Sequence, residues 1–98
     1  MKRFRLAAEA AADLTEIFNY IAEDSIDAAQ RVSVGIYDEM KKLARNPGIG
    51  HKRRDLTSRD LLFWPIYSYL VVYQPTSVLN IIAVLHGRRD VRKILKKR

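Results

Sequence analysis

Cysteine is absent from this sequence, histidine occurs only twice, and no apolar run is long enough to cross a membrane. Without cysteine there can be no disulfide framework and no thiolate metal site. Two histidines with scattered carboxylates give no metal-binding pattern, so we expect no metal and no cofactor. The apolar segments 61–73 and 78–85 are shorter than the roughly 20 residues of a spanning helix, so we expect no membrane insertion. A chain without cysteine suits a reducing compartment, and we expect a cytoplasmic location.

The 98 residues also show no internal repeat, no low-complexity segment and no sign of a second domain. A hydrophobic content of 48% is typical of globular proteins. This length is sufficient to bury a core without cross-links. We therefore predict a single domain that spans residues 1–98.

The first half of the chain has no net positive charge, and the whole positive excess lies in the second half. Residues 1–50 contain seven Lys and Arg against eight Asp and Glu, whereas residues 51–98 contain eleven against three. The excess is found around residues 51–54 and from Arg88 to Arg98. A solvated surface explains scattered charges, but two separate basic clusters in one small domain favour a polyanionic or acidic partner. Charge alone does not choose between these two partners.

The first half predicts a strand followed by a helical hairpin. Residues 3–7 alternate polar and apolar side chains, which is typical of a short strand. From about residue 8 to residue 24 the apolar side chains follow the helical period, and a second stripe from 27 to 46 predicts another helix. The short connection between them predicts an antiparallel hairpin. The apolar residues of the first helix are Leu14, Ile17, Phe18 and Ile21, and those of the second include Val32, Ile36 and Met40.

Local chemistry predicts three details of the second helix. Asp27 is expected to be its N-cap, with Gln30 reaching back as in a capping box. Gly35 lies in mid-helix, where glycine costs about 1 kcal/mol relative to alanine, so we expect it to allow the first helix to approach closely. Pro47 disfavours a helical residue before it, so the helix should end at Asn46.

Three apolar segments in the second half predict an antiparallel meander, with strands at 61–66, 69–74 and 77–85. Pro65 places the first strand at an edge, because proline cannot donate to a ladder. A short C-terminal helix should follow Asp90 as its N-cap. The fold class is therefore α+β, with an N-terminal strand and a helical hairpin packed on one face of a small antiparallel sheet. The opposite face is expected to stay partly open and to carry aromatic and basic groups.

The end of the last strand brings a histidine and two arginines to one place. Residues 78–85 are mostly apolar and are followed by His86, Gly87, Arg88 and Arg89. Cationic groups are costly to bury and stay at the surface or become paired, so this cluster is a candidate contact for an anion. For His86 itself, a hydrogen-bonded turn residue explains the position as well as a functional role does. Gly87 is expected to occupy a turn that needs positive φ.

Five short motifs follow one another along the chain in a definite order. They are Ala11-x-Asp13-Leu14-x-x-Ile17-x-x-Tyr20-Ile21, Asn46-Pro47-x-x-Gly50, Arg53-x-x-Leu56, Tyr69-x-x-x-Tyr73 and Ile81-Ile82-Ala83-Val84-Leu85-His86-Gly87-Arg88-Arg89-Asp90. In order, spacing and total length they resemble the RelE/ParE superfamily of bacterial type II toxins, and within it the ParE, or plasmid-stabilisation, branch. The resemblance covers nearly the whole chain and implies the fold predicted above.

The superfamily has two activities, and the resemblance implies one of them here. RelE-like toxins cleave mRNA in the ribosomal A site, whereas ParE-like toxins are not known as nucleases and inhibit DNA gyrase. RNA cleavage needs a proton acceptor, a proton donor and cations beside the phosphate. His86 with Arg53, Arg88 and Arg89 would supply only part of this, because the tail 93–98 contains no Tyr or His as a second acid–base group. The pattern therefore agrees better with the ParE branch.

The resemblance implies a toxin that a cognate antitoxin neutralises in a hetero-oligomer, and that acts on DNA gyrase by binding rather than as an enzyme. The alternative is a ribosome-dependent mRNA endonuclease. A small nucleic-acid-binding domain is a third interpretation, which explains the charge but not the motif order. The residues expected to bind the target are His86, Arg88, Arg89 and Arg53. The residues expected to bind the antitoxin, as the exposed part of the hairpin, are Leu14, Ile17, Phe18, Ile21, Val32, Ile36 and Met40. The last helix, residues 91–97, is expected to detach from the sheet at little cost.

Overall fold

The computed structural model describes residues 3–98 and has the predicted α+β architecture. The elements are β1 (Phe4–Leu6), α1 (Ala8–Ala22), α2 (Ile26–Arg45), a 3₁₀ turn (Pro47–Ile49), β2 (Leu62–Ile66), β3 (Tyr69–Gln74), β4 (Leu79–His86) and α3 (Val91–Leu95).

The sheet order is β1-β4-β3-β2. β1 pairs with β4 in parallel while the other pairs are antiparallel, so the sheet is mixed and not wholly antiparallel as predicted. A parallel neighbour requires a crossover connection, and here α1, α2 and the other two strands lie between β1 and β4 in the sequence.

Buried side chains form two clusters, one on each face of the sheet. The hairpin side lies between the sheet and the two long helices, and the α3 side lies between the sheet and α3. The opposite face is therefore covered, and the prediction that it stays partly open is wrong, because Val91 and Leu95 of α3 are buried against it and Leu56 packs beside them. The hairpin-side cluster comprises Ala10, Ile36, Met40, Leu43, Ala44, Val71, Tyr73, Leu79, Ile81 and Val84. The α3-side cluster comprises Leu61, Phe63, Val72, Ile82, Ala83, Leu85, Val91 and Leu95.

A bulge in β4 changes which face its side chains occupy. Val72 pairs with Ala83 and Tyr73 pairs with Ile81, so Ile82 is the extra residue. Ile82 and Ala83 both join the α3-side cluster, and Val84 returns to the hairpin side. A strict alternation along this strand would place Val84 on the α3 side. The bulge therefore determines which face the last side chains of β4 occupy.

β2 is the edge strand that Pro65 predicts. Its outer side is also partly covered, because the backbone of His51 exchanges two hydrogen bonds of 2.8 Å with the backbone of Phe63. The edge therefore presents few open backbone groups.

Three local predictions on the helices and turns are wrong. The N-cap of α2 is Ser25, whose Oγ accepts a hydrogen bond from the Ala28 N–H at 3.1 Å, so the helix begins before Asp27. Gly35 makes room for the hydroxyl of Tyr67 and not for α1. Gly87 does not have positive φ, whereas Tyr67, in the turn between β2 and β3, has φ of 54°. Asp90 does cap α3, by accepting from the Lys93 N–H at 3.2 Å. No helix within residues 3–98 has the length and apolar character to span a membrane.

Candidate functional site

A pocket of about 320 Å³ opens between α1 and the adjoining ends of β3 and β4. We call it the hairpin pocket. It contains two of the residues predicted to bind a target, His86 and Arg89, beside Ile17, which was predicted to bind an antitoxin. Two surfaces that the sequence treated as separate therefore meet in one place. The lining residues are Asp13, Glu16, Ile17, Tyr20, Tyr69, Val84, His86 and Arg89.

The wall formed by the sheet depends on the β4 bulge. Because the bulge returns Val84 to the hairpin side, His86 two residues later also lies on that side. Tyr69 is directly opposite His86 in the register, and the two rings meet edge to face with centroids 5.5 Å apart. Burial raises the pKa of the Tyr69 hydroxyl above its usual value, and Tyr20 adds a smaller effect in the same direction. This wall is aromatic and largely apolar.

His86 also has a structural role at the end of β4. Its Nδ1 accepts a hydrogen bond from the Arg88 N–H at 3.1 Å, which places the proton of the neutral ring on Nε2. The Gly87 N–H donates to the Ser68 carbonyl at 2.9 Å and closes the neighbouring turn. The expectation of a hydrogen-bonded turn residue is therefore confirmed for His86, and its place in the pocket adds to that role.

The carboxylate of Asp13 forms part of the pocket lining and was not among the predicted site residues. It accepts two hydrogen bonds from the Arg98 guanidinium, at 2.6 and 2.9 Å, and one from the Val84 N–H at 3.0 Å. Val84 needs this acceptor because β1 ends opposite Ile81 and leaves the β4 backbone uncovered beyond it. Asp13 is only 5% exposed, and its ion pair with Arg98 neutralises its charge within the fold. The signal in the sequence was an aspartate one helical turn before Ile17, on the apolar stripe.

Arg53 does not line this pocket. It lies in the loop before β2 and makes a bidentate ion pair with Asp55, with distances of 3.0 and 2.8 Å. The hydrogen bond to Asp55 raises the pKa of Arg53 and lowers that of Asp55. Arg88 is exposed beside the pocket without lining it. The four residues predicted to bind a target are therefore not one cluster.

The expected exposure of the antitoxin-binding residues is wrong for two of them. Ile36 and Met40 are fully buried between α2 and the sheet, so no partner can reach them. Leu14, Ile17, Phe18, Ile21 and Val32 are half-buried. Large apolar side chains that are truly exposed lie elsewhere on the hairpin and its neighbouring turn: Tyr20, Ile26, Val34, Tyr37 and Tyr67.

Trp64 on β2 contacts Glu39 and Lys42 of α2 and His51 of the loop that precedes β2. Its Nε1–H donates to the Glu39 carboxylate at 2.9 Å, while the His51 ring stacks on it with centroids 5.9 Å apart. Lys42 lies 5.1 Å above the same indole and 3.9 Å from Glu39. These contacts tie α2 to the sheet edge, and Glu39 therefore has a structural role and is not among the residues that line the hairpin pocket.

Chemically, the hairpin pocket suits an apolar or aromatic group better than a phosphate. Arg89 is the one guanidinium among its lining residues, and the Glu16 carboxylate lines the same pocket. Phosphate binding favours several converging cations. Aromatic walls formed by Tyr20, Tyr69 and His86 instead offer area to a side chain of a partner protein.

Comparison with known proteins supports the resemblance of the motifs. Residues 4–91 match the family described as the ParE toxin of the type II toxin–antitoxin system parDE. The chain is 32% identical over 94 residues to the protein named "Putative toxin Y4kP" of Sinorhizobium fredii (strain NBRC 101917 / NGR234), which covers 96% of this chain and 97% of that one. It is also similar to a chain of the chromosomal ParDE TA system from P. aeruginosa, with a TM-score of 0.71 and 17% identity, over 88% of this chain and 96% of that one. At this identity the structural likeness shows the fold alone.

Proposed function

Because the chain belongs to the family of ParE toxins of type II toxin–antitoxin systems, we propose that a cognate antitoxin neutralises it and that it inhibits DNA gyrase by binding. The hairpin pocket with its lining residue Arg89, and the exposed Arg88 beside it, would contact gyrase. The protein would act in the cytoplasm, where gyrase and DNA are found.

The chemistry of the hairpin pocket is the observation that carries this proposal. An RNA-cleaving site needs an acid–base pair and several cations around the scissile phosphate. Here Asp13 is committed to Arg98 and Val84, and burial raises the pKa of Tyr69, which makes it a poor base at neutral pH. Only Arg89 among the lining residues carries a positive charge that could face a phosphate. These features favour binding of a protein surface over the alternative of ribosome-dependent mRNA cleavage.

The antitoxin would bind the same side of the molecule. Ile17 and Tyr20 of α1 line the hairpin pocket, and further exposed apolar side chains lie on α2. A segment that folds on binding, with apolar anchors and acidic neighbours, would fill the pocket and face Arg88 and Arg89. Co-expression with the neighbouring open reading frame should then give a stable hetero-oligomer, and Ile17→Asp should weaken it. Separate elution of the two proteins at micromolar concentration would contradict this part of the proposal.

A supercoiling assay with purified gyrase tests the target. The wild-type chain should block supercoiling or trap cleaved DNA, and the Arg88→Gln/Arg89→Gln variant should need about tenfold more protein for the same effect, because it loses charges at the contact. His86→Gln should keep most of the inhibition. Arg31→Gln/Lys41→Gln is the matched control, because both residues are exposed on α2 and the change in net charge is the same.

A different set of effects after induction in cells would indicate that the target is the ribosome and not gyrase. Primer extension on mRNA from induced cells should show no new codon-positioned ends. Ends that appear with the wild type and disappear with His86→Gln would indicate cleavage. Immediate arrest of translation, with supercoiling unaffected at a large excess of toxin, would also exclude gyrase as the target.

A further inference from the structure

A second pocket, also of about 320 Å³, lies on the α3 side of the sheet, between α3 and the loop that precedes β2. Four cationic side chains line it, and we call them the basic cradle: Arg54, Arg59, Arg92 and Lys96. They come from two basic segments that are more than thirty residues apart in the sequence. The other lining residues are Asp55, Leu56, Thr57, Ser58 and Leu95.

The loop and α3 hold each other through reciprocal hydrogen bonds. Arg59 of the loop donates to the Leu95 carbonyl of α3 at 3.2 Å. In return, Arg92 of α3 donates to the Asp55 carbonyl of the loop at 3.0 Å from Nε and 2.6 Å from Nη2. Arg54 donates to the Ser58 carbonyl within the loop at 3.2 Å. Three guanidinium groups are therefore fixed in position before any ligand arrives.

These bonds orient the guanidinium groups without neutralising them. A backbone carbonyl carries no net charge, and each guanidinium keeps most of its N–H donors available. Asp55 supplies the only carboxylate among the lining residues. Arg53 holds it in the bidentate pair, and that hydrogen bond is the main cause that lowers the pKa of Asp55, while the charge of Arg92 adds a smaller effect in the same direction. Within residues 3–98 no ion pair joins any member of the basic cradle to an acidic side chain. The cradle thus concentrates positive charge with fixed donors, which is the arrangement that binds anions.

We propose that the basic cradle binds the phosphate backbone of double-stranded DNA without regard to sequence. DNA presents one negative charge per roughly 1.7 Å of helix axis, a density that matches four converging cations better than the scattered carboxylates of a protein surface. The hydroxyl groups of Thr57 and Ser58 add donors of the kind that contact phosphates. No aromatic residue is among those that line the pocket, so the stacking platform of a single-strand site is missing there. This activity goes beyond the toxin function and does not depend on gyrase being the target.

Fluorescence anisotropy with a labelled DNA duplex of about 20 base pairs tests the proposal on the full chain. The plot of log affinity against log salt should have a slope of roughly −3.6, since each neutralised phosphate contributes about −0.9. Arg54→Gln/Lys96→Gln should reduce the slope by about 1.8 and weaken binding roughly a hundredfold near 50 mM salt. Arg31→Gln/Lys41→Gln, with the same change in net charge on the opposite side, should leave most of the affinity. Lys96→Gln alone should give about half the change in slope. This single variant replaces the double variant in the test if the double variant does not fold.

Four outcomes would overturn the proposal. The first is no binding to the duplex at low salt. The second is an equal loss of affinity in the α2 control, which would show only a general attraction of a basic protein for DNA. The third is a preference for a poly-glutamate peptide that displaces the duplex, which would assign the cradle to an acidic protein. A single strand of the same sequence should bind more weakly than the duplex, and tighter binding of the strand would also contradict it.

Discussion

The hairpin pocket and the pocket lined by the basic cradle have the same volume of about 320 Å³ and lie on opposite sides of one sheet, but their chemistry differs. The hairpin pocket is largely aromatic and apolar, with the Arg89 guanidinium, the Glu16 carboxylate and the carboxylate of Asp13, which Arg98 neutralises. The cradle is polar and carries four cations. Yet Arg89 and Arg92, which belong to different pockets, are only three residues apart in the sequence. The chain passes from the hairpin side to the α3 side between them, so a basic run in a sequence does not define a single surface.

The two sides also differ in how they are held together. The hairpin side has two long helices and a large buried cluster, whereas the α3 side depends on a five-residue helix. Arg98, which follows α3, reaches back to Asp13 on α1 and joins the sides at the edge of β4. Substitutions on each side of the sheet, and at the ion pair that links the two sides, test this division of stability.

Asp13→Ala should have the largest effect, a loss of about 3 kcal/mol in the free energy of unfolding. The substitution leaves the Arg98 guanidinium, whose side chain is 14% exposed, without its partner and the Val84 N–H without an acceptor. Urea denaturation measures the loss. Glu16→Ala, at an exposed position of the same helix, should stay within about 0.5 kcal/mol of the wild type. A cost below about 1 kcal/mol for Asp13→Ala would mean that this ion pair does not hold Arg98 against α1 in solution.

Leu95→Ala should cost about 2–3 kcal/mol, because Leu95 is 2% exposed and its removal leaves a cavity against the sheet. This result would contradict the sequence-based expectation that the last helix detaches at little cost. Ile94→Ala, at a half-buried position of α3, is the control and should cost less. If both variants are equally stable in urea, α3 does not cover the sheet in solution. Charge substitutions are therefore better tests of function than deletion of residues 91–98, which would expose Leu61 and Phe63.

Tyr73→Phe should cost about 1–2 kcal/mol on the hairpin side. The Tyr73 hydroxyl donates to the Pro47 carbonyl at 2.7 Å and accepts from the Gly50 N–H at 3.0 Å, so the phenylalanine leaves both groups without a partner. Thermal or urea unfolding measures the loss. Tyr69→Phe is the matched control, and it should change stability by less than about 0.5 kcal/mol.

The same pair of tyrosines predicts a pH dependence. Burial raises the pKa of Tyr73 and of Tyr69 above the usual value of about 10, so the folded protein keeps protons that the unfolded chain releases. Stability from this source is fully present below that pH and is lost as the pH rises through the raised values. Urea midpoints should therefore fall from about pH 10 upward. The fall should be shallower for Tyr73→Phe, and an unchanged slope would show that the phenol is not buried in solution.

Gly35→Ala should have the smallest effect, below about 1 kcal/mol, because a gain in helix propensity opposes a clash. The added methyl group would meet the hydroxyl of Tyr67, whose exposed ring can move aside. In a Tyr67→Ala background the same substitution should stabilise the protein by up to about 1 kcal/mol. A double-mutant cycle in urea measures the difference. Equal effects in both backgrounds would mean that Tyr67 does not rest on Gly35.

The elements of the fold could be predicted from the sequence because their signals are local. Apolar period, turn residues and Pro65 indicated the helices, the meander and the edge strand. The parallel position of β1 could not be predicted, since it pairs with residues more than seventy positions away. The bulge at Ile82 was also hidden, because an almost wholly apolar segment shows no break in alternation when one residue is inserted.

The candidate site was predicted in part. His86 and Arg89 do lie in a pocket, but Ile17, Tyr20 and Asp13 join them only through tertiary contacts that no local pattern shows. The Asp13–Arg98 pair spans 85 residues. The position of Arg53 away from the hairpin pocket could have been suspected from the sequence. Asp55 follows two residues later and offers the Arg53 guanidinium a partner within its own loop.

The covered edge of β2 limits how any partner can recognise this protein. A strand added to a sheet needs a row of open N–H and C=O groups, but His51 already occupies those of Phe63 and Pro65 has no N–H to offer. Any partner that binds at this border must therefore be recognised by side chains and by shape, not by an extension of the sheet. Neighbouring copies of the chain likewise find no open row of backbone groups along β2 on which to pair.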